Sequence, residues 1–225
     1  YALSSENGST KWVFPEKQDS KKMFFAPVEF AGDAIIVGDY AHDLYALNSS
    51  DGTLKWQFNE AASRYVASAF YKDGFIYAPN ADKRLYVLDQ NGVLQWVFET
   101  KGANWSKPVA DDQHLYLASM DHHIYALNLK YLASELTTDE NGTRNLVTEP
   151  IWKTDLKTAI VSNPLLADGF LYVGTIGGNL FKINSLNGEI IWNYEGETKI
   201  KSIWTQPVVL DGAIFFATED GYIHA

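Results

Sequence analysis

Apolar and polar residues alternate along this chain in short runs, and the runs come in pairs. The stretch Leu44-Tyr45-Ala46-Leu47-Asn48 gives way to the polar turn Ser49-Ser50-Asp51-Gly52, and a second alternating run, Thr53-Leu54-Lys55-Trp56, follows it. Alternation of period two predicts strands, and Asp-Gly between them predicts a tight reversal, so the segment is expected to be a hairpin. The arrangement recurs from Leu85 to Trp96, from Leu180 to Trp192 and, shortened at its front, from Tyr1 to Trp12. A further copy opens at Ile124-Tyr125-Ala126-Leu127-Asn128 but reaches Trp152 only after an inserted stretch, 129–150. The intervals between Trp12, Trp56, Trp96, Trp152 and Trp192 are therefore 44, 40, 56 and 40 residues, with the insertion accounting for the long one.

A second hairpin precedes each of these. Proline and an apolar residue open it at Pro27-Val28, Pro108-Val109, Pro164-Leu165 and Pro207-Val208, with Ala69-Phe70 in their place once. Turns at Gly32-Asp33, Asp73-Gly74, Asp111-Asp112, Asp168-Gly169 and Asp211-Gly212 lead into strands such as Phe170-Leu171-Tyr172-Val173-Gly174. Four short strands in about 40 residues make a propeller blade. The chain is expected to be an all-β propeller with repeats over 23–62, 63–102, 103–157 and 158–198 and partial ones over 1–22 and 199–225, about five blade lengths in one domain. A blade cannot bury both of its faces alone, so Trp12, Trp56, Trp96, Trp152 and Trp192 are expected to fill the spaces between neighbours. The final Gly221-Tyr222-Ile223-His224-Ala225 runs against Asp43-Leu44-Tyr45-Ala46, so both ends fall in the same strand of the repeat. Two arrangements fit that: a stretch of a larger propeller, or a closed five-blade ring whose last blade is shared between the ends.

The stretches Ala46 to Trp56, Ala2 to Trp12 and Lys182 to Trp192 resemble the tryptophan-docking motif of quinoprotein-like (PQQ-like) propeller repeats, alanine-x-aspartate-x-x-threonine-glycine-lysine-x-x-tryptophan. Spacing, glycine and tryptophan are kept. The aspartate becomes Asn48, Ser4 or Asn184, the threonine becomes Asp51, Asn7 or Asn187, and Val87 to Trp96 is one residue short. The resemblance covers the whole chain and implies the fold without choosing an activity. The family holds quinone-dependent dehydrogenases, the propeller lipoprotein of the outer-membrane β-barrel assembly machinery, and repeat proteins without known ligand. In the dehydrogenases the resemblance implies a quinone over a calcium, with an aspartate base and, in many alcohol-oxidising members, a vicinal disulfide. This chain has no cysteine, so that disulfide is impossible, and its blades are fewer than those enzymes wrap around their cofactor.

Composition narrows the partners. A net charge of −10 with 18 basic residues argues against a surface that tracks nucleic-acid phosphates. No run approaches the ~18 apolar residues of a membrane span. Asp121-His122-His123 is not expected to bind metal, because neighbours on a strand point to opposite faces; the histidines and His42 are assigned to the turns between second and third strands. Asp139-Glu140-Asn141-Gly142-Thr143 lacks the alternating acids of a calcium loop and is expected at a solvated loop tip.

Two places depart from the repeat. In the approach to the innermost strands, Trp105 and Trp204 share a position, and Lys107, Asn163 and Gln206 share another just before the prolines. These five are the candidate ligand-binding residues, expected to converge on one mouth of the central channel. The insertion 129–150 is the other, expected to be a surface elaboration that folding can do without, with helix-like spacing over Leu129 to Leu136. The functional expectation is a non-enzymatic scaffold or binding module of the cell envelope, extracytoplasmic, taking a protein, peptide or small ligand. No quinone (PQQ), calcium or other cofactor is supported. The alternatives are a quinone-dependent sugar or alcohol oxidoreductase module and a ligand-sensing domain of a larger receptor.

Overall fold

The computed structural model describes every residue except 18, 21, 132, 139–141, 143–144 and 197–199. After an outer pair, β1 (Ala2–Leu3) and β2 (Thr10–Trp12), the chain forms four complete antiparallel blades. The first holds β3 (Glu29–Ala31), β4 (Ala34–Gly38), β5 (Leu44–Asn48) and β6 (Leu54–Phe58), and the second holds β7 (Phe70–Lys72), β8 (Phe75–Pro79), β9 (Arg84–Asp89) and β10 (Leu94–Glu99). The third runs β11 (Val109–Ala110), β12 (His114–Ala118) and β13 (His123–Asn128), leaves the sheet for an insertion containing β14 (Leu146–Val147), and returns as β15 (Trp152–Asp155). The fourth is β16 (Leu165–Ala167), β17 (Phe170–Gly174), β18 (Leu180–Asn184) and β19 (Ile190–Tyr194), followed by a three-stranded sheet of β20 (Val208–Leu210), β21 (Ala213–Ala217) and β22 (Ile223–His224).

Strand order within each blade follows chain order, as hairpin connections dictate. The turns between first and second strands explain part of this. Asp73 and Gly74 both have positive φ (51° and 86°), as do Asp168 with Gly169 and Asp211 with Gly212. That is the geometry of the primed turns whose twist matches paired strands. β1 pairs with β2 and β22 with β21, so the two terminal strand sets are separate sheets and not one shared blade. Phe216 pairs with His224 as Val37 pairs with Tyr45, which puts Gly221 at the place of His42, one residue from the expected alignment; both have positive φ.

The core is a series of seams between blades. Ile36, Leu44, Ala46, Tyr65, Ile76, Tyr86 and Leu88 fill the first, Tyr77, Leu85, Trp96, Leu115 and Tyr125 the second, and Tyr116, Ile124, Leu171, Val173 and Ile183 the third.

At the rim of three seams a tryptophan of one blade sits on a turn of the next. Trp12, Trp56 and Trp152 donate their indole N–H to the carbonyls of Ser49 (3.1 Å), Gln90 (2.8 Å) and Ser185 (3.1 Å). Their rings lie against Gly52, Gly92 and Gly188, where a Cβ would come within 2.5–2.6 Å of an indole carbon. Those glycines also have positive φ, so both space and backbone require them. The substituted motif positions keep their work. Asn48 and Asn184 Oδ1 accept from Ser50 and Leu186 N–H, Ser4 Oγ accepts from Glu6 N–H, and Asp51, Asn7 and Asn187 each accept from the amide two residues on. An oxygen acceptor that closes the turn on itself is what the position demands, whichever of Asp, Asn or Ser supplies it.

Trp96 and Trp192 differ. The turn that would receive Trp96 is replaced by the insertion, and its ring packs edge-on against Tyr131 at 5.0 Å instead. Trp192 faces a cavity of about 410 Å³ shared with Tyr194, Ile214 and Phe216.

The insertion is not confined to the surface, as the sequence pattern suggested. β14 pairs in parallel with β10, making the second blade five-stranded, and Leu129 and Val147 are buried in the second seam. The helix-like spacing over Leu129 to Leu136 yields one 3₁₀ turn, Ala133–Glu135. Of the acidic loop tip, 139–141 and 143 lie outside the described residues.

Candidate interaction face

The approaches to the innermost strands and the turns between second and third strands meet at one end of the blades, and backbone bonds lock them there. Within a blade, Tyr40, Ala81, Met120, Ile176 and Glu219 N–H donate to the approach carbonyls of Met23, Arg64, Ala103, Ala159 and Ser202. Between blades, Tyr65, Asn104, Ile160 and Ile203 N–H reach back to the carbonyls of Asp39, Asn80, Ser119 and Thr175. Asp39, Asn80, Ser119, Thr175 and Thr218 occupy one repeat position and are all buried polar residues.

The polar candidates sit on this end, and each makes a hydrogen bond that ties one blade to another. Lys107 N–H donates to Asn163 Oδ1 of the next blade at 2.7 Å. The Lys107 ammonium reaches Glu29 Oε2 in the first blade at 2.6 Å and lies 5.7 Å from the Phe70 ring centroid in the second. Glu29 Oε1 also accepts from Tyr71 N–H, so one ion pair gathers the inner edges of three blades. Gln206 Nε2 donates to Pro164 O at 3.2 Å, tying the last sheet to the fourth blade.

The aromatic candidates diverge. Trp204 is 50% exposed, whereas Trp105 is half-buried and its indole N–H has no acceptor among the described residues. Phe25, in the approach to the first blade, is 63% exposed; its ring centroid stands 4.5 Å from that of Tyr40, over which the Arg64 guanidinium lies at 5.1 Å. Sequence reasoning passed over Phe25 and Glu29. Glu29 was legible as the lone acid on an innermost strand.

It also passed over a repeated phenol–carboxylate pair. Tyr45 O–H reaches Asp39 and Asp43, Tyr86 O–H reaches Asp82 at 2.7 Å, and Tyr125 O–H reaches Asp121 at 2.7 Å. Burial, with a carboxylate beside it, pushes each of these phenols well above the usual range. His42 and His122 have positive φ (80° and 79°) in their turns, while His123 opens β13 with Nδ1 beside the Asp121 carbonyl. No three His, Cys, Asp or Glu side chains come together as a metal site among the described residues. What the arrangement offers is a braced rim with exposed aromatic rings.

Radial four-stranded sheets with tryptophans docked on the turns of their neighbours define a β-propeller of quinoprotein-like repeats. The family model described as outer membrane protein assembly factor BamB matches residues 1–130 and 147–225, and the chain belongs to that family. It is 22% identical to the outer membrane protein assembly factor BamB of Shewanella oneidensis over 98% of this chain and 64% of that protein. The chain thus spans just under two thirds of that relative's length. A 30% identical match to the human beta-alanine-activating enzyme covers 42% of this chain and 9% of that one. The crystal structure of BamB from Moraxella catarrhalis superposes with a TM-score of 0.73 at 21% identity, over 96% of this chain and 61% of that one.

Proposed function

We propose that the chain is a non-catalytic protein-interaction scaffold of the cell envelope, acting outside the cytoplasm in the assembly of outer-membrane proteins. Family membership supports the setting. The observation that carries the reading is the division of labour at the inner-strand end. Lys107, Asn163 and Gln206 each contribute a tie between blades, which leaves a braced frame whose approach segments carry the exposed rings of Trp204 and Phe25. Rigid aromatic anchors suit a peptide segment, because they bury much area with little loss of side-chain entropy. No helix among the described residues is long and apolar enough to cross a membrane. We further propose that binding needs neither quinone nor calcium.

A photo-cross-linking amino acid placed at position 204 in cells should capture a component of outer-membrane protein assembly, and Phe25→Ala should weaken that capture while leaving the circular-dichroism spectrum unchanged. Capture confined to unrelated abundant proteins would defeat the reading. Quinone added with calcium should leave the melting temperature and the absorbance of the protein unaltered; a bound chromophore would favour the oxidoreductase alternative.

A further inference from the structure

The outer edges of the blades are not alike. An outermost strand presents a row of free backbone groups, and proteins usually guard such rows with charge or cover them. Here β2 carries Lys11, β6 carries Lys55 bonded to Asp33 at 2.6 Å, and β15 carries Lys153 and Asp155. The β10 edge is covered by β14, with Val97 N–H donating to Asn145 O at 2.9 Å. β19, Ile190-Ile191-Trp192-Asn193-Tyr194, has neither device. It holds no charged residue, its only partner among the described strands is β18, and Ile190, Ile191 and Tyr194 are 39%, 46% and 41% exposed.

We propose that the β19 edge takes up an extended segment of another polypeptide as a parallel fifth strand, in the way that β10 takes up β14 within the chain. The registers support the transfer. Trp192 pairs with Lys182 as Trp96 pairs with Val87, so Asn193 stands where Val97 stands and turns its N–H to the same outer side. A residue opposite Tyr194 then matches Val147, which lies opposite Phe98 and is buried. Such a residue falls on the same side of the sheet as Trp192, so an apolar side chain is required there. Of the two residues of β14, Leu146 falls in the 131–146 gap of the family match and Val147 just inside it, and their pairing shows a blade edge of this chain accepting a parallel strand. Charge defines the partner further. Glu189 and Glu195 bracket β19, both exposed, on a chain of net charge −10. The segment recognised is a short apolar strand with lysine or arginine on either side. This surface is separate from the inner-strand face and stands or falls whatever position 204 cross-links.

The probe is the synthetic peptide Lys-Lys-Asn-Leu-Val-Thr-Lys-Lys, which carries the sequence of residues 145–148 between lysines. Titrated into the labelled protein, it should give saturable amide shifts centred on β19. A spin label on its amino terminus should broaden the Ile190 end of the strand. Asn193→Pro, which removes the outward N–H but is tolerated on an edge, should weaken binding at least tenfold. So should Ile191→Lys, an exposed change that leaves the fold intact and installs the guard the other strands carry. Absence of saturable binding up to the order of 1 mM, affinity unchanged in both variants, or broadening at the Tyr194 end instead would overturn the proposal.

Discussion

Gly92 gives the sharpest test of blade docking, because the molecule supplies its own control. Gly92 and Gly169 both sit in turns at φ of 78°. A Cβ on Gly92 would meet the Trp56 indole at 2.6 Å and 2.9 Å, whereas one on Gly169 would meet nothing within 4 Å. Alanine at either position bears the left-handed backbone cost of about 1–2 kcal/mol. Only Gly92→Ala must also push an indole out of its seat, which overpacks the seam by about 1–3 kcal/mol. Its unfolding free energy should therefore fall by about 2–5 kcal/mol, and that of Gly169→Ala by only the first part. Urea midpoints read by tryptophan fluorescence measure both. Replacing Trp56 by alanine empties the space that the new methyl would occupy, so in the Trp56→Ala background the cost of Gly92→Ala should shrink to that of Gly169→Ala, a coupling of about 1–3 kcal/mol between contacting residues. Equal destabilisation by Gly92→Ala and Gly169→Ala, or additivity of Trp56→Ala with Gly92→Ala, would refute the argument that the indole seated on the turn holds the blades together.

Replacing 129–150 by a two-residue turn should lower the melting temperature by several degrees, since it deletes Val147 and Leu129 from the second seam, each worth about 1.5–3 kcal/mol on full burial; an unchanged melting curve would show that the insertion contributes nothing to that seam. Stability should also fall at alkaline pH. The phenols of Tyr45, Tyr77, Tyr86, Tyr116 and Tyr125 are raised in the folded state by burial first. The unfolded chain therefore loses those protons earlier, and the stabilisation, complete below the unfolded phenol value of about 10, is lost as pH climbs above it. Tyrosinate absorbance should rise in step with loss of the folded circular-dichroism signal, and titration of all thirteen tyrosines in the folded protein would contradict the burial assigned to these five.

Strand order, blade period and the docking of Trp12, Trp56 and Trp152 were legible because each follows from local pattern, whereas Trp96 and Trp192 depart from it. A turn closed by Asn48 or Ser4 has the same hydrogen-bond logic as one closed by aspartate, so the motif survives its substitutions. The site was less legible because a repeat alignment gives equivalence and not contact. It placed Lys107, Asn163 and Gln206 correctly before their prolines. It could not show that the Lys107 side chain spans from the third blade to Glu29 of the first, since that depends on how tightly the inner strands crowd the axis. Nor could spacing alone separate Trp105, half-buried, from Trp204, exposed.

The insertion was misjudged for a related reason. At the Trp12, Trp56 and Trp152 seams, the receiving turn is built by the same hairpin that continues the blade, so removing the turn would break the blade as well. At Trp96 the hairpin has been opened, and the duties of the turn are divided. Tyr131 takes over the contact with the indole, Leu129 O accepts the Tyr77 O–H at 2.9 Å, and β14 adds a ladder on β10 that no other seam possesses among the described residues. Polar composition and an Asn-Gly pair suggested a loop facing water, but the residues that do the work are the few apolar ones at its two ends. A segment that replaces a docking turn must bury something against the indole that the turn would have covered, and here Tyr131 does so while β14 covers the strand edge beside it. Among the described residues, β19, at the far side of the fourth blade, is an outermost strand that neither charge nor a neighbouring segment protects.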